Sequence, residues 1–563
     1  MAWNVKIEME DQSIAQDLAV TSSYEAAMEA LSSLIGQHKR PNAPARDGTN
    51  FPLMLKYIKM VGLEQSIAEL KIIHVAGTKG KGSTCTFSEA ILCECGLRTG
   101  LFTSPHLIDV RERIRINGLE LSREKFLDYF WDLWNQLKIK LSEELLMPGL
   151  FQFLTLLAFK IFLCEKVDVA IIEVGIGGKW DSTNVVKEPV VCGVSSLGMD
   201  HMEILGNTID KIASQKAGIF KPHVPGFTVP QLPEAMLVLQ ETASQLMIPL
   251  EVASPLNSKW LKGLKLGLDG DHQLINAGLA VALCKCWLER TGHSSLASNV
   301  AMDKDLPEAF RRGLASANLS GRAQIVKDID SENSSGRGNL VFYLDGAHTP
   351  ESLNVCARWF CSATFRENSH FVNEDLDSLH GNLHGYESRN GNGNQSWINL
   401  KRIMLFNCME KRDPQLLLPQ LIKTCAANDV HFSKAIFVRG LSSHSKVASP
   451  TSIVTSDTSV NLSWQSTLQR TWENYIHGTV ANVKNGKCLS TINSSSNGFS
   501  EENAVESCDP SSNLYDCSSV MLSLPSAIRW LRECAGKNPM VQYQVLVTGS
   551  LHLVGDVLKL LRR

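Results

Sequence analysis

The residues with the clearest chemical potential lie in the run Gly77-Thr-Lys-Gly80-Lys81-Gly82-Ser83. Glycines let successive backbone N–H groups turn inward around an anion, and a helix starting there adds a favourable dipole. Lys81 is placed to reach the β/γ-phosphates of a nucleotide, and the Ser83 hydroxyl to face a Mg²⁺. The run departs from G-x-x-x-x-G-K-[ST], because Gly82 separates the lysine from the serine. Further along, Glu173 closes the apolar stretch DVAIIEV. A carboxylate at a strand end in such a domain is where a Mg²⁺ ligand belongs. His201 follows the apolar run Val190–Ser196 and repeats that placement. Thr103-Ser104-Pro105-His106-Leu107 leads into Arg111, Arg113 and Arg115. Those arginines suit either a multiply anionic substrate or a solvated charge run, and the pattern leaves both open. Lys216 precedes Gly218 and Pro222, both helix-stop signals, so it reads as a helix-end cation or a site group.

Positioning these groups requires alternating strands and helices. Ile72, Ile73 and Val75 predict a buried strand before the glycine loop, and Thr84 to Cys95 a helix after it. Further strands are expected at 98–102, 168–174 and 190–196, each ending in polar residues. Helices are expected at 22–38, 52–60, 122–140, 150–165, 207–216 and 306–316, and from about 270 to Trp287. The segment 103–118 is read as a loop. The alternation restarts after Arg322 with strands at 340–344, 402–406, 434–438 and 544–548, and a helix at 553–562. Residues 366–399 and about 440–519 are rich in Ser, Asn, Gly and His with few periodic hydrophobes, and are expected to be mobile insertions.

At 563 residues the chain has room for more than one cored domain. A net charge of −3 gives no reason to expect nucleic acid or an anionic membrane as partner. The 15 cysteines lack metal-type spacing and suit a reducing compartment. No apolar run has the length of a membrane span. The first twenty residues hold Glu8, Glu10, Asp11 and Asp17 without arginine, which fits neither a secretory signal nor a transit peptide. The cytosol is therefore expected, with a mitochondrial or plastid form if a longer N-terminus exists.

Eight segments occur in one order: HVAGTKGKGST, TSPHLIDVRERIRING, IIEVGIGGKWDSTNVV, SLGMDHMEILGNTIDKIASQKAGIFKP, GDHQLINA, GRAQ, LDGAHTPES and LFNCMEKRDP. Together they resemble the folylpolyglutamate synthase family of the Mur ligase superfamily, over about 22–365, 400–440 and 520–562. The loop with Lys79, where bacterial members usually carry asparagine, resembles the eukaryotic branch, and the polar insertions suggest a plant type. Lys179-Trp180 depart from the Arg-Leu common in bacterial members.

The resemblance implies an α/β fold. A P-loop-containing, Mur-ligase-like N-terminal domain with a central, mostly parallel sheet is joined to a smaller Rossmann-like α/β C-terminal domain. The expected bounds are 1–50 for an N-terminal extension and helix, 51–318 for the ATPase domain and 319–563 for the C-terminal domain. It implies ATP binding by Gly80, Lys81, Gly82, Ser83, Asn276, Arg322, Asp345 and His348. It further implies Mg²⁺ (one or two ions) on Ser104, Glu173 and His201, and a monovalent cation such as K⁺. Lys216 matches a lysine carbamylated in several superfamily members, and Thr103, His106 and Arg113 mark the folate region. The implied activity is ATP-dependent addition of L-glutamate to the γ-carboxylate of tetrahydrofolate or its polyglutamates, by a monomer. Rival expectations are a dihydrofolate synthase acting on dihydropteroate, another Mur-type ligase or P-loop phosphotransferase, and a catalytically silent homologue.

Overall fold

A computed structural model of the chain describes residues 23–35, 50–141, 145–297, 305–328, 340–379, 399–442, 447, 461–484, 517–538 and 540–562. The chain divides into two compact units, the first formed by 1–320 with 442–453 and the second by 321–441 with 454–563.

Unit 1 is built on eight strands: β1 (Ile72–Ala76), β2 (Thr99–Phe102), β3 (Ile114–Ile116), β4 (Leu119–Glu120), β5 (Val169–Glu173), β6 (Val191–Val194), β7 (Gly226–Thr228) and β8 (Leu250–Val252). They lie in the order β4-β3-β2-β5-β1-β6-β7-β8. From β2 to β8 all neighbours are parallel, whereas β3 and β4 add an antiparallel edge. Strands covered on both faces read as continuous apolar runs, which is why β1 and β5 are wholly buried. Side chains alternate between two cores along each strand. Ile72 and Ile172 join one core, with Tyr24, Phe126, Phe130 and Phe153 from helices 23–33, Arg123–Lys140 and Leu150–Cys164. Ile73, Val75 and Ile171 join the other, with Ile91, Leu283, Trp287 and Phe310 from helices Lys81–Glu94, His272–Arg290 and Glu308–Ser316. Helix 23–33 is thus part of the unit 1 core: Tyr24, Ala27 and Leu31 are buried.

Unit 2 carries β9 (Gln324–Lys327), β10 (Leu340–Leu344), β11 (Asn399–Phe406), β12 (Lys434–Val438), β13 (Ser518–Met521) and β14 (Val541–Thr548), in the order β13-β12-β11-β14-β10-β9. Only β9 runs antiparallel.

Three expectations change. The segment expected to be a loop after Leu107 contains a short 3₁₀ turn, Val110–Arg113, and then β3, whose apolar Ile114 and Ile116 alternate around Arg115. The supposed insertion at 366–399 begins inside a helix running Pro350–Leu379. The other, at 440–519, holds the helix Ser463–Lys484 and edge strand β13. In that helix Trp464, Leu468, Trp472 and Ile476 recur every fourth residue and pack on the unit 2 core, with Trp472 6.4 Å from Phe437. That stripe was legible, but the surrounding Ser and Asn masked it. Residues 380–398, 443–446, 448–460 and 485–516 lie outside the described residues. Among the described residues no helix is long and apolar enough to cross a membrane.

Candidate active site

The candidate residues of unit 1 gather at the carboxyl ends of β1, β2, β5 and β6. In a parallel sheet these ends share one edge, and helix N-termini point toward it. After β1 the chain turns through Gly77 and Gly80, at φ 148° and 86°. The turn is pinned to the β6 loop, because the N–H groups of Thr78 and Lys79 donate to Ser196 O at 2.9 and 3.0 Å. Ser195 Oγ in turn donates to Lys79 O at 2.8 Å. Gly80 precedes the helix Lys81–Glu94, and the Thr84 N–H donates to its carbonyl at 2.9 Å. Lys81, Gly82 and Ser83 form the first turn of that helix, whose early N–H groups have no intrahelical acceptor.

Glu173, the last residue of β5, faces this turn. Its Oε1 lies 3.8 Å from Lys81 Nζ, and its Oε2 accepts the Ser104 N–H at 2.9 Å. A methyl placed on Gly82 would be 3.4 Å from that same Oε2. Loop, lysine, serine and carboxylate are therefore one cluster. Asn276 lies against the loop at Gly80, where an added Cβ would stand 2.1 Å from its Oδ1. Asn276 is buried and donates to Gln273 Oε1 at 2.8 Å.

His201 has left-handed backbone, φ 52°, stabilised as its N–H donates to Asp200 Oδ1 at 3.0 Å. Asp200 Oδ2 takes Lys79 Nζ at 2.9 Å. Burial, offset by Asp200 and Glu203, lowers the His201 imidazole, and the charges of Lys81 and Lys216 push the same way. Lys79, Ser195 and Asp200 were not among the expected site residues. Their signal was present, as Asp200 directly precedes His201 at a strand end, but Lys79 and Asp200 are 121 residues apart.

Lys216 is buried against the glycine loop rather than exposed at a helix end. It is 4% exposed, and its Nζ donates to Gly77 O at 2.8 Å. Burial, with Lys81 nearby, lowers its ammonium to about 7. The unfolded chain then holds a proton between pH 7 and 10.5 that the folded chain does not, so stability rises with pH through this window. Thermal midpoints of wild type and Lys216→Met should therefore diverge from pH 7 to 10 in favour of wild type, by the equivalent of a few kcal/mol. Parallel curves would refute the buried, perturbed amine.

Neither reading of the three arginines holds for all of them. Arg111 pairs with Asp109 at 2.9 Å, and Arg115 with buried Glu89, so both are neutralised within the fold. Arg113 is buried, which lowers its guanidinium to about 10 against the opposing pull of Glu173 and Glu112. Its Nε–H donates to His106 Nδ1 at 2.8 Å, and its carbonyl accepts the Thr103 N–H at 2.9 Å. Thr103, His106 and Arg113 thus form one bonded group beside Ser104.

In unit 2, Asp345 follows β10 and gathers the loop around it. Its Oδ2 accepts the Ala323 N–H at 2.9 Å and its Oδ1 the Ala347 N–H at 3.0 Å. The Gly346 N–H donates to Gly321 O at 3.2 Å, so Arg322 sits between two residues tied to 345–346. His348 Nδ1 lies 2.9 Å from Gly346 O. Arg322, Asp345 and His348 are therefore neighbours.

Comparison with known proteins adds a name to this arrangement. No family model matches the chain. A folylpolyglutamate synthase of Arabidopsis thaliana is 53% identical, over 99% of this chain and 90% of its own. A second from Arabidopsis is 50% identical over 96% and 89%. The mitochondrial folylpolyglutamate synthase of Homo sapiens is 38% identical over 91% and 86%. Among solved structures, the Mycobacterium tuberculosis folylpolyglutamate synthase complexed with ADP superposes with a TM-score of 0.63 at 20% identity, covering 96% of this chain and 99% of that one. One described as a folylpolyglutamate synthase–AMPPCP–folate complex gives 0.57, also at 20%, covering 96% and 99%. The structures establish the fold as that of these synthases, and the relatives establish the family. The chain belongs to the folylpolyglutamate synthase family.

Proposed function

We propose that the chain is an ATP-dependent ligase that joins L-glutamate to the γ-carboxylate of tetrahydrofolate and its polyglutamates, releasing ADP and phosphate. The observation that carries the reading is Glu173, set between Lys81 and the Ser104 N–H at the mouth of the glycine loop. An ionised γ-carboxylate is a poor electrophile. One of its oxygens attacks the γ-phosphorus of ATP, the bond to the leaving ADP oxygen breaks, and an acyl phosphate forms. The α-amine of glutamate then adds to the carbonyl carbon and loses a proton, and the tetrahedral intermediate collapses to amide and phosphate. Phosphoryl transfer needs positioning and charge neutralisation above all. Lys81 and the first-turn N–H groups supply both at the phosphates. Asn276, against the loop at Gly80, is assigned to the nucleotide as well, and the resemblance also gives Arg322, Asp345 and His348 a nucleotide role. No side chain is required as nucleophile.

The cluster also suits Mg²⁺, which prefers oxygen donors and keeps several waters when phosphate oxygens complete its shell. Glu173 would hold it together with Ser104, whose N–H already meets that carboxylate. Among the described residues no three His, Cys, Asp or Glu side chains form a metal-holding group. His201 offers a nitrogen, the least suited of the three expected donors. The ion would supply charge neutralisation at the phosphates. Lys216, with an ammonium near pH 7, presents the neutral amine that carbamylation requires.

The test is incorporation of labelled glutamate with ATP and Mg²⁺, comparing tetrahydrofolate with dihydropteroate. A ladder of polyglutamates on tetrahydrofolate is the expected result. Transfer to dihydropteroate alone would reassign the acceptor, and transfer to neither would overturn the function.

A further inference from the structure

Tyr24 of helix 23–33 reaches the Thr103–Arg113 segment. Tyr24 is 1% exposed, and its hydroxyl donates to Asp109 Oδ1 at 2.5 Å. The Arg111 and Arg123 guanidinium carbons stand 5.7 and 5.3 Å from its ring centre, and the Phe126 ring packs at 6.0 Å. The same Asp109 accepts the Arg111 N–H and that guanidinium's Nη2, both at 2.9 Å.

Asp109 is also the cap of the turn Val110–Arg113. Glu112 folds the preceding chain back on it, accepting the N–H groups of Leu107, Ile108 and Asp109 at 2.6, 2.7 and 2.7 Å. The turn ends at Arg113, which holds His106 through Nε–H and Thr103 through its carbonyl. The next residue after Thr103 is Ser104, whose N–H reaches Glu173. Hydrogen bonds joined by short stretches of chain therefore link helix 23–33 to the carboxylate of the candidate site.

We propose that Tyr24 is a positioning residue for the acceptor folate, acting through Asp109 on the Thr103–Arg113 segment. The inference rests on the reading that this segment receives the folate. A tyrosine needed only for packing has no use for a hydroxyl in a core of Phe126, Phe130 and Val110. Here the hydroxyl is spent on a carboxylate already gripped by an arginine, which fixes where that carboxylate and its turn can sit. Without it, Asp109 keeps only contacts within its own turn, to Arg111 and the Glu112 N–H, while the ring and its packing remain.

The experiment uses the full chain with Tyr24→Phe, Asp109→Asn and the double variant, measuring kcat, KM for tetrahydrofolate and for ATP, and the thermal midpoint. Tyr24→Phe should raise KM for tetrahydrofolate about tenfold, the scale of a lost charge-assisted hydrogen bond. Its kcat and KM for ATP should stay within about twofold of wild type. Asp109→Asn should raise the same KM, and the double variant should fall short of the product of the two effects. A lower thermal midpoint with unmoved KM for tetrahydrofolate would overturn the proposal, as would parallel rises in both KM values or full additivity. If Tyr24→Phe does not fold, Asp109→Asn alone decides by the same KM split. Wild type assayed in parallel separates the readings. No transfer by wild type defeats the assigned function and this inference with it, whereas transfer by wild type with an unmoved variant KM defeats the inference alone.

Discussion

Glu173→Gln is expected to lower kcat for glutamate ligation about a thousandfold, the scale seen when stabilisation of developing charge is lost, here with the carboxylate that would hold Mg²⁺. The substitution is nearly isosteric. The amide oxygen still accepts the Ser104 N–H, so the bond that ties β5 to the Thr103–Arg113 segment persists. What vanishes is the negative charge 3.8 Å from Lys81, in a site where the lysine is 15% and the glutamate 5% exposed. In such a poorly solvated pair the charge dominates, because water does little to screen it. Lys81→Ala should abolish ligation equally, since the phosphates then lose their only side-chain cation from the loop's first helical turn. Circular dichroism should show both variants folded. Activity within about threefold of wild type in either would remove the role assigned to that residue.

Gly80→Ala should be strongly disruptive for so small a change. Gly80 has φ 86°, a region that costs an alanine about 1–2 kcal/mol. The added Cβ would also stand 2.1 Å from Asn276 Oδ1, so the buried Asn276 side chain or the loop must move. Moving the loop turns its N–H groups away from the phosphate position. Nucleotide affinity should fall about a hundredfold, equivalent to about 2.7 kcal/mol. The thermal midpoint should drop by several degrees. Adding Asn276→Ala removes the colliding oxygen and leaves only the backbone cost, so part of the midpoint should return. A double variant no more stable than Gly80→Ala would show that the collision is not the cause. Fluorescent-nucleotide titration and a melting curve read both effects.

Much of the site was legible because its signals are local. A β-branched run, a glycine turn and a helix follow one another within Ile72–Glu94, and each is dictated by neighbouring φ/ψ preferences and by period. Glu173 stood out for the same reason, as a charge near the end of an apolar strand. So were the helices Arg123–Lys140 and Leu150–Cys164, with their regular periods and Ser122 capping the first. The α/β class followed from strand and helix patterns in alternation.

Pairing between distant residues was not legible, because a sequence pattern does not say which charge meets which. Arg111 and Arg115 carry the same local signal as Arg113, yet the fold neutralises the first two with Asp109 and Glu89 and leaves Arg113 bonded to His106. Lys79 and Asp200 become partners only because parallel pairing of β1 with β6 puts both loops at one edge. Whether Lys216 was a helix-end cation or a site group depended on burial, which tertiary packing sets: inside unit 1 it bonds the Gly77 carbonyl. Tyr24 gave no signal at all, since an aromatic residue on an amphipathic helix is ordinarily core. By itself the sequence determined the local chemistry of the phosphate loop, the strand-end carboxylate and the α/β alternation, through short-range preferences. The tertiary structure alone decided which charges are spent on the fold and which face the site, because that outcome depends on neighbours brought together across the sheet.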